Sequence, residues 1–227
     1  MPVDQPVYPV NLVIAGRPCL VVGGGRVAVT KVRGLLDAGA LVTVVAPDID
    51  PRIAEMADAA RRSAAAGDAP SGGTVTVERR PYRRGDVDGY RLVVASTGDP
   101  QVNQQVYDDG EAAGVWVNSA GDPERCSVIL PARIRQGRLT VTVSTGGHSP
   151  AVASWLRERL ADELGPEYDQ LIELLGEARR EVQAQGVGTE QLDWRRALDS
   201  GILDLIRAGR PEEAKERLRA CLSSSSD

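Results

Sequence analysis

The sequence is poor in the side chains that build metal and disulfide sites, with one histidine, three cysteines and two lysines among 227 residues. Cys19, Cys126 and Cys221 are widely spaced, which argues against both a disulfide framework and a thiolate metal site. No apolar run approaches the roughly 20 residues of a membrane-spanning helix. The first residues also lack the basic and apolar regions of a signal peptide. We therefore expect a globular, cytoplasmic protein without a permanent metal.

The charge balance is mildly acidic, with a net charge of −5. Such a chain has no general attraction to nucleic acid or to an anionic membrane, so we expect neither as a partner. Local arginine clusters are nevertheless present at Arg79, Arg80, Arg83 and Arg84 and at Arg133, Arg135 and Arg138. Guanidinium groups suit carboxylates and phosphates, so the clusters could bind a small polyanion or could simply be solvated.

The N-terminal half alternates buried strands with amphipathic helices. Cys19 to Gly23 is an apolar run ending in glycine, Val27 to Ala38 has helical spacing, and Leu41 to Ala46 is a second apolar run. Further strands are predicted over Val75 to Glu78, Leu92 to Ser96 and Val115 to Asn118, with a helix over Gln101 to Ala113. This order predicts right-handed crossovers and a parallel sheet.

The pattern changes after Asn118. Ser127 to Leu130 and Leu139 to Ser144 are predicted to form an antiparallel hairpin. Ser149 followed by Pro150 is a strong helix start. The remainder to about Leu222 is helical in pattern, and the final serines indicate a disordered tail.

A glycine-rich turn lies between the first strand and the first helix. Gly23, Gly25 and Ala28 fit the form G-x-G-x-x-A, in which the glycines permit a tight turn and close approach of a diphosphate. Backbone amides at the helix start, around Arg26 and Val27, would bind the phosphates. The alternative, a glycine turn that serves only packing, is less favoured by this context.

Other cofactor contacts are expected where later strands end. The first acid after the second strand, Asp48, is a candidate ribose ligand or a turn aspartate, and it favours NAD over NADP. Thr97 and Asn103 follow a strand of the same sheet and are candidates for the nicotinamide side. Asp99 is equally well explained as a helix cap.

Candidate catalytic residues follow the last strand of the predicted sheet and the hairpin. Asp122 is the carboxylate nearest the expected cleft, and His148 is the only side chain whose ordinary pKa lies near neutrality. A lone loop histidine is also commonly a surface residue. We expect substrate contacts from Asn118, Ser119 and Gly121 and, in the glycine-hinged loop, from Thr145, Gly146 and Ser149.

The chain resembles the siroheme synthase N-terminal module, the precorrin-2 dehydrogenase and sirohydrochlorin ferrochelatase family. The matching segments are YPVNLVIAGRPCLVVGGGRVAVTKVRGLLDAGALVTVVAP, LVVASTGDPQVNQQV and VWVNSAGDPERCSVILPARIRQGRLTVTVSTGGHSPAVASWLRERL. The resemblance implies an α/β fold with a Rossmann domain (1–117), a small α+β dimerisation region (118–150), a helical domain (151–222) and a disordered tail (223–227). It also implies a homodimer.

The resemblance further implies NAD-dependent oxidation of precorrin-2, a tetrapyrrole polycarboxylate, to sirohydrochlorin, followed in this family by iron insertion. Two positions depart from the family pattern. Gly121 stands where the family has an aspartate implicated in catalysis, and Thr97-Gly98-Asp99 stands where it often has Thr-Asp-Asp. Because glycine neither accepts a proton nor binds iron, dehydrogenase is favoured over chelatase. A repurposed enzyme for another anion and a binding protein without turnover remain as alternatives.

Overall fold

The computed structural model describes residues 6–65, 72–186, 188 and 192–223, with the side chains of 63–65 and 223 excepted. These residues form two compact units. The first contains the described residues up to Leu130 together with Gly146–His148, and the second contains Pro131–Thr145 and the described residues from Ser149 onward. The last helix ends at Ser223, and the rest of the predicted tail lies outside the described residues.

A five-stranded parallel sheet is the centre of the first unit. Its strands are β1 (Pro18–Val22), β2 (Leu41–Val45), β3 (Thr74–Glu78), β4 (Leu92–Ala95) and β5 (Trp116–Ser119), in the order β3-β2-β1-β4-β5. The helices are α1 (Arg26–Leu36), α2 (Pro51–Ala65) and α3 (Pro100–Ala113). The predicted parallel α/β fold is thus confirmed. The sheet runs past the expected boundary at residue 117, because Asn118 and Ser119 belong to β5.

Alternation of side chains along each strand builds two core layers. Val21, Val42 and Val44 pack with α1 residues such as Val32 on one face of the sheet. Leu20, Val22 and Val93 pack on the other face with Val106 of α3. The central strands are therefore apolar on both faces, as strands of a helix-covered parallel sheet are. Left-handed Gly39, with φ of +77°, ends the α1 region.

The prediction of a strand over Ser127 to Leu130 is wrong. The amides of Ser127 and Val128 both donate to the carbonyl of Val117, at 2.9 and 3.1 Å, while the Ser127 hydroxyl accepts from the Val117 amide at 2.8 Å. Because all three bonds involve Val117 of β5, the segment forms an irregular bend and lacks the repeating hydrogen bonds of a strand. Pro131, which has no N–H, follows directly.

The predicted hairpin is present in the second unit, but its first strand lies later in the chain. It consists of β6 (Ala132–Gln136) and β7 (Leu139–Val143), joined at Gly137. The helices of this unit are α4 (Pro150–Glu163), α5 (Glu167–Ala184), α6 (Trp194–Asp199), α7 (Ile202–Arg207) and α8 (Pro211–Ser223). Ile202, Leu205 and Leu218 form a core with α5. The break at left-handed Gly201 was not predicted.

Candidate active site

The glycine turn lies at the point where the strand order reverses. The chain moves outward from β1 through β2 to β3 and then returns to β4 on the other side of β1. Gly23 has φ of +115°, and a Cβ there would lie 2.6 Å from the Ser96 carbonyl oxygen after β4. This residue therefore has to be glycine. The turn opens at the carboxyl ends of the two central strands, where ligands bind in open α/β sheets.

The N-terminus of α1 is suited to a diphosphate. Gly25 has φ of −85° and nothing lies within 4 Å of a Cβ built on it, so the fold itself does not require glycine here. No side chain caps this helix end, and its first turn carries no acidic residue. The amides around Arg26, Val27 and Ala28 consequently lack a competing carboxylate, and the free space at Gly25 fits a bound anion.

The segment after β2 packs directly on the glycine turn. A Cβ at Gly24 would lie 2.1 Å from the Asp48 carbonyl oxygen, and the Asp50 amide donates to the Gly24 carbonyl at 2.8 Å. The side chain of Asp48 is exposed. Gly24 and Asp50 are not among the residues expected at the site from the sequence. Three consecutive glycines were the available signal for the first, and the position just before Pro51 was the signal for the second.

Thr97 and Asn103 bind each other. The Asn103 side-chain oxygen accepts from the Thr97 amide at 3.3 Å and from its hydroxyl at 2.8 Å, and the Asn103 amide donates to the Thr97 carbonyl at 3.1 Å. Asp99 caps α3 through the Gln101 amide. A ligand can therefore use only the second N–H of the Asn103 amide group.

The end of β5 is organised by Cys126. Its sulfur accepts from the Ser119 amide at 3.2 Å and lies 3.6 Å from the Asn118 side-chain nitrogen. Burial raises the pKa of this thiol, against smaller opposing effects of the Ser119 backbone and of the Lys31 charge. Burial also lowers the pKa of Lys31. The wide spacing of the cysteines along the chain gave no indication of these contacts.

Ser119 carries an unsatisfied hydroxyl. Ser119 is 2% exposed. Among the buried side-chain nitrogen and oxygen atoms of the described residues, its Oγ is the one that has no hydrogen-bond partner. Buried polar groups are almost always paired, so such an atom at the carboxyl end of a strand indicates a contact for a bound molecule.

Asp122 is already engaged by neighbouring groups. Its carboxylate accepts from the Glu124 amide at 3.1 Å and forms an ion pair with Arg125, which also binds the Gln104 side chain at 2.6 Å. The adjacent Gly121 has φ of +87°, with open space around a Cβ. An aspartate at position 121 would thus adopt a left-handed backbone that L residues rarely accept.

The loop of His148 lies between two residues that bind each other. The Thr145 hydroxyl accepts from the Ser149 amide at 3.0 Å and donates to the Ser149 carbonyl at 3.1 Å. Ser149 caps α4 through the Val152 amide, as expected from the Ser-Pro start. His148 itself is exposed. Gly146 and Gly147, with φ of +61° and +90°, supply the turn.

Much of the positive charge proposed for a polyanion is neutralised within the chain. Arg80 pairs with Glu78 and Asp86, Arg84 with Asp109, and Arg138 with Asp169 and Glu173. Among the described residues there is no group of three or more His, Cys, Asp or Glu side chains that could hold a metal ion. Within the described ranges no helix is long and apolar enough to cross a membrane.

The fold and the glycine turn define a Rossmann-type dinucleotide-binding protein. Two family models match the chain, an NAD(P)-binding family over residues 10–132 and the central region of sirohaem biosynthesis proteins over residues 136–163. The chain therefore belongs to this NAD(P)-binding family and carries the central segment of sirohaem biosynthesis proteins.

Relatives with this architecture include siroheme synthases and a dehydrogenase. The chain is 36% identical to the siroheme synthase of Nitrosococcus oceani over 94% of its own length and 43% of the relative. It is 35% identical to that of Pseudomonas entomophila, over 93% of its own length and 43% of the relative. The chain thus spans less than half of these curated relatives. The solved structure of SirC, a precorrin-2 dehydrogenase, superposes with a TM-score of 0.70 at 28% identity, covering 94% of this chain and 100% of SirC.

Proposed function

We propose that the chain is an NAD-dependent dehydrogenase that oxidises precorrin-2 to sirohydrochlorin. The observation that carries the proposal is the uncapped α1 N-terminus behind the glycine turn, at the reversal point of the sheet and beside the end of β4. The similarity to SirC along that protein's whole length supports the substrate. In the reaction the substrate loses one hydride and one proton, NAD⁺ becomes NADH, and the proton passes to a base or to water.

The residues of the site act by binding and orienting the dinucleotide and the substrate. The turn at Gly23 and Gly25 and the first amides of α1 bind the diphosphate, and Asp48 binds the adenosine ribose. When bound, the nicotinamide supplies the hydride acceptor. The hydrogen bonds between Asn103 and Thr97 fix the turn after β4. Asn118 and the unpaired Ser119 hydroxyl contact the substrate.

Proton removal is assigned to His148 in preference to Asp122. The Asp122 carboxylate is occupied by Arg125 and by the Glu124 amide, so its oxygens are already engaged within the chain. His148 is exposed in a glycine-hinged loop and can reorient. Gly121 has no role in proton transfer in this assignment, and Thr145 and Ser149 hold the loop that carries His148 and Gly146.

NAD is proposed as the cofactor, because an exposed carboxylate at Asp48 suits ribose hydroxyls and repels a 2′-phosphate. A cytoplasmic location is also part of the proposal. Cys19 and Cys126 are buried thiols outside any disulfide, which supports a reducing compartment.

The proposal includes a homodimer. In the second unit, α4 exposes Val152, Trp155 and Leu156, residues that are 45%, 53% and 36% accessible. Their spacing places them on one face of the helix. An exposed apolar stripe of this kind supports association with a second copy.

An anaerobic assay with precorrin-2 and NAD tests the function. We expect sirohydrochlorin and NADH to appear in equal amounts. Ser119→Ala should raise KM while leaving the free energy of unfolding within about 0.5 kcal/mol, because no hydrogen bond is lost. Asp162→Asn, on an exposed position of α4, is the control variant. Absence of both products from folded protein that binds NAD would contradict the proposal.

Insertion of ferrous iron into sirohydrochlorin is a second candidate activity, because the curated relatives are siroheme synthases. Adding ferrous or cobaltous ion to sirohydrochlorin without NAD tests it by the change in the visible spectrum. A rate no greater than that of the uncatalysed mixture would exclude this activity.

A further inference from the structure

An arginine lies close to the expected position of the adenosine ribose. The segment Asp48–Asp50 packs on the glycine turn, through the 2.8 Å bond from the Asp50 amide to the Gly24 carbonyl. Arg52 follows on the first turn of α2, and its side chain is 51% exposed. In dinucleotide-binding folds, an arginine near the end of the second strand accommodates the 2′-phosphate of NADP. By residue type and position, Arg52 could therefore favour NADP.

The guanidinium of Arg52 is held by Asp50. The two Asp50 carboxylate oxygens accept from Arg52 Nε at 2.9 Å and from Arg52 Nη2 at 2.8 Å, a two-point contact that fixes the plane of the guanidinium. The same carboxylate accepts from the Arg52 backbone amide at 3.0 Å. Asp50 is the more buried partner, because only 17% of its side chain is exposed.

Two acidic side chains, those of Asp50 and Glu55, interact with Arg52. Hydrogen bonds from Arg52 hold the pKa of Asp50 at about 2, so the carboxylate stays charged throughout the neutral range. Glu55, on the same helix, also interacts with the Arg52 charge. A 2′-phosphate approaching Arg52 would have to displace Asp50 and would face uncompensated negative charge.

We infer that Asp50 is a specificity-determining residue, which excludes NADP by holding Arg52 in an internal ion pair and so preserves selectivity for NAD. The inference rests on the proposed function, because it concerns the cofactor of the same site. Asp50 acts through Arg52 and is a positioning residue. Its expected effect is on the ratio of the two cofactor affinities and only weakly on the affinity for NAD.

Calorimetric titration of the intact chain with NAD and with NADP tests the inference. The variant is Asp50→Ser, since serine keeps an oxygen that can accept from the Arg52 amide but is too short and too weakly polar to hold the guanidinium. We expect the ratio of the dissociation constants, NADP over NAD, to fall by about tenfold. Asp50→Asn, which keeps the size of the side chain and removes its charge, should shift the ratio in the same direction.

Two further variants assign the effect to Arg52. Asp50→Ser combined with Arg52→Ala should lose the gain in NADP affinity. Asp58→Asn is the matched control, because Asp58 pairs with Arg61 further along the same helix, and it should leave the ratio unchanged. If both Asp50 variants bind NAD and keep the ratio of dissociation constants of the unmodified chain, the inference is wrong while the proposed function stands. The same holds if the gain in NADP affinity persists in the double variant that lacks Arg52. If the unmodified chain binds neither cofactor, the proposed function fails and the inference fails with it.

Discussion

Asn103 and Thr97 form a closed pair at the carboxyl end of β4. Three hydrogen bonds of 2.8, 3.1 and 3.3 Å join the Asn103 side chain to the amide, hydroxyl and carbonyl of Thr97. Asn103 is 9% exposed, so water does not readily replace these bonds. The pair links the start of α3 to the turn that follows β4, and the position of that turn depends on it.

Removing this side chain should destabilise the fold. We expect Asn103→Ala to lower the free energy of unfolding by about 1 to 3 kcal/mol, because it leaves the Thr97 amide without its acceptor. Urea denaturation measures the change. Gln101→Ala, at an exposed position of the same helix, should change stability by no more than about 0.5 kcal/mol. Equal stabilities of the two variants would show that the pair is not structural.

The glycines of the turn should separate folding from binding. In Gly23→Ala the new Cβ meets the Ser96 carbonyl and the backbone has φ of +115°, so we expect a loss of about 2 kcal/mol or more of stability. In Gly25→Ala the new Cβ meets nothing in the fold but lies in the space proposed for the diphosphate. We expect this variant to keep its melting temperature and to bind NAD at least roughly tenfold more weakly. Unchanged NAD affinity in folded Gly25→Ala would contradict the location of the phosphate site.

Most of the fold could be predicted from the sequence because its signals are local. Buried runs such as Cys19 to Gly23, and the glycines that end helices, depend on neighbouring residues only. The site was predicted less well, since its contacts join distant segments. The Cys126 sulfur accepts from the amide of Ser119 at the end of β5, and the Asp50 amide donates to the Gly24 carbonyl. The position before Pro51 marks Asp50 as a helix start, but no sequence pattern shows either of these two contacts. The bend that replaced the predicted strand at Ser127 also depends on a contact with Val117.

Gly98 and Gly121, which the resemblance places at aspartate positions of the family pattern, should differ in how they accept a carboxylate. Gly98 has free space around a Cβ and no left-handed φ, so Gly98→Asp should change the free energy of unfolding by less than about 0.5 kcal/mol. Gly121 has equal space but φ of +87°, and Gly121→Asp should cost about 1 kcal/mol. Thermal denaturation of both variants compares them. A Gly121→Asp variant as stable as Gly98→Asp would mean that this turn can change its backbone conformation without cost.

Stability should fall at high pH because of Cys19. Burial raises the pKa of this thiol from 9.0 to about 11, so the folded chain favours the neutral form. The stability that the buried neutral thiol contributes is fully present below the pKa of the thiol in the unfolded chain. It is lost as the pH rises from about 9 towards 11. We expect the unmodified chain to lose about 1 to 3 kcal/mol more stability between pH 8 and pH 11 than Cys19→Ala does. Parallel curves for the two proteins would contradict this cause.

The apolar stripe of α4 gives a direct test of the proposed dimer. Trp155 is 53% exposed, with the Arg159 guanidinium 5.0 Å from its ring centre, and Val152 and Leu156 lie beside it on the helix. A carboxylate in place of the indole would remove most of the apolar surface from the contact between copies, so Trp155→Glu should shift the chain to a monomer. Light scattering coupled to size exclusion measures the mass. Leu198→Glu, at a similarly exposed position of α6, should leave the mass unchanged, because it lies on a different helix. A dimer that survives Trp155→Glu would place the contact elsewhere, and a monomeric unmodified chain would contradict the homodimer itself.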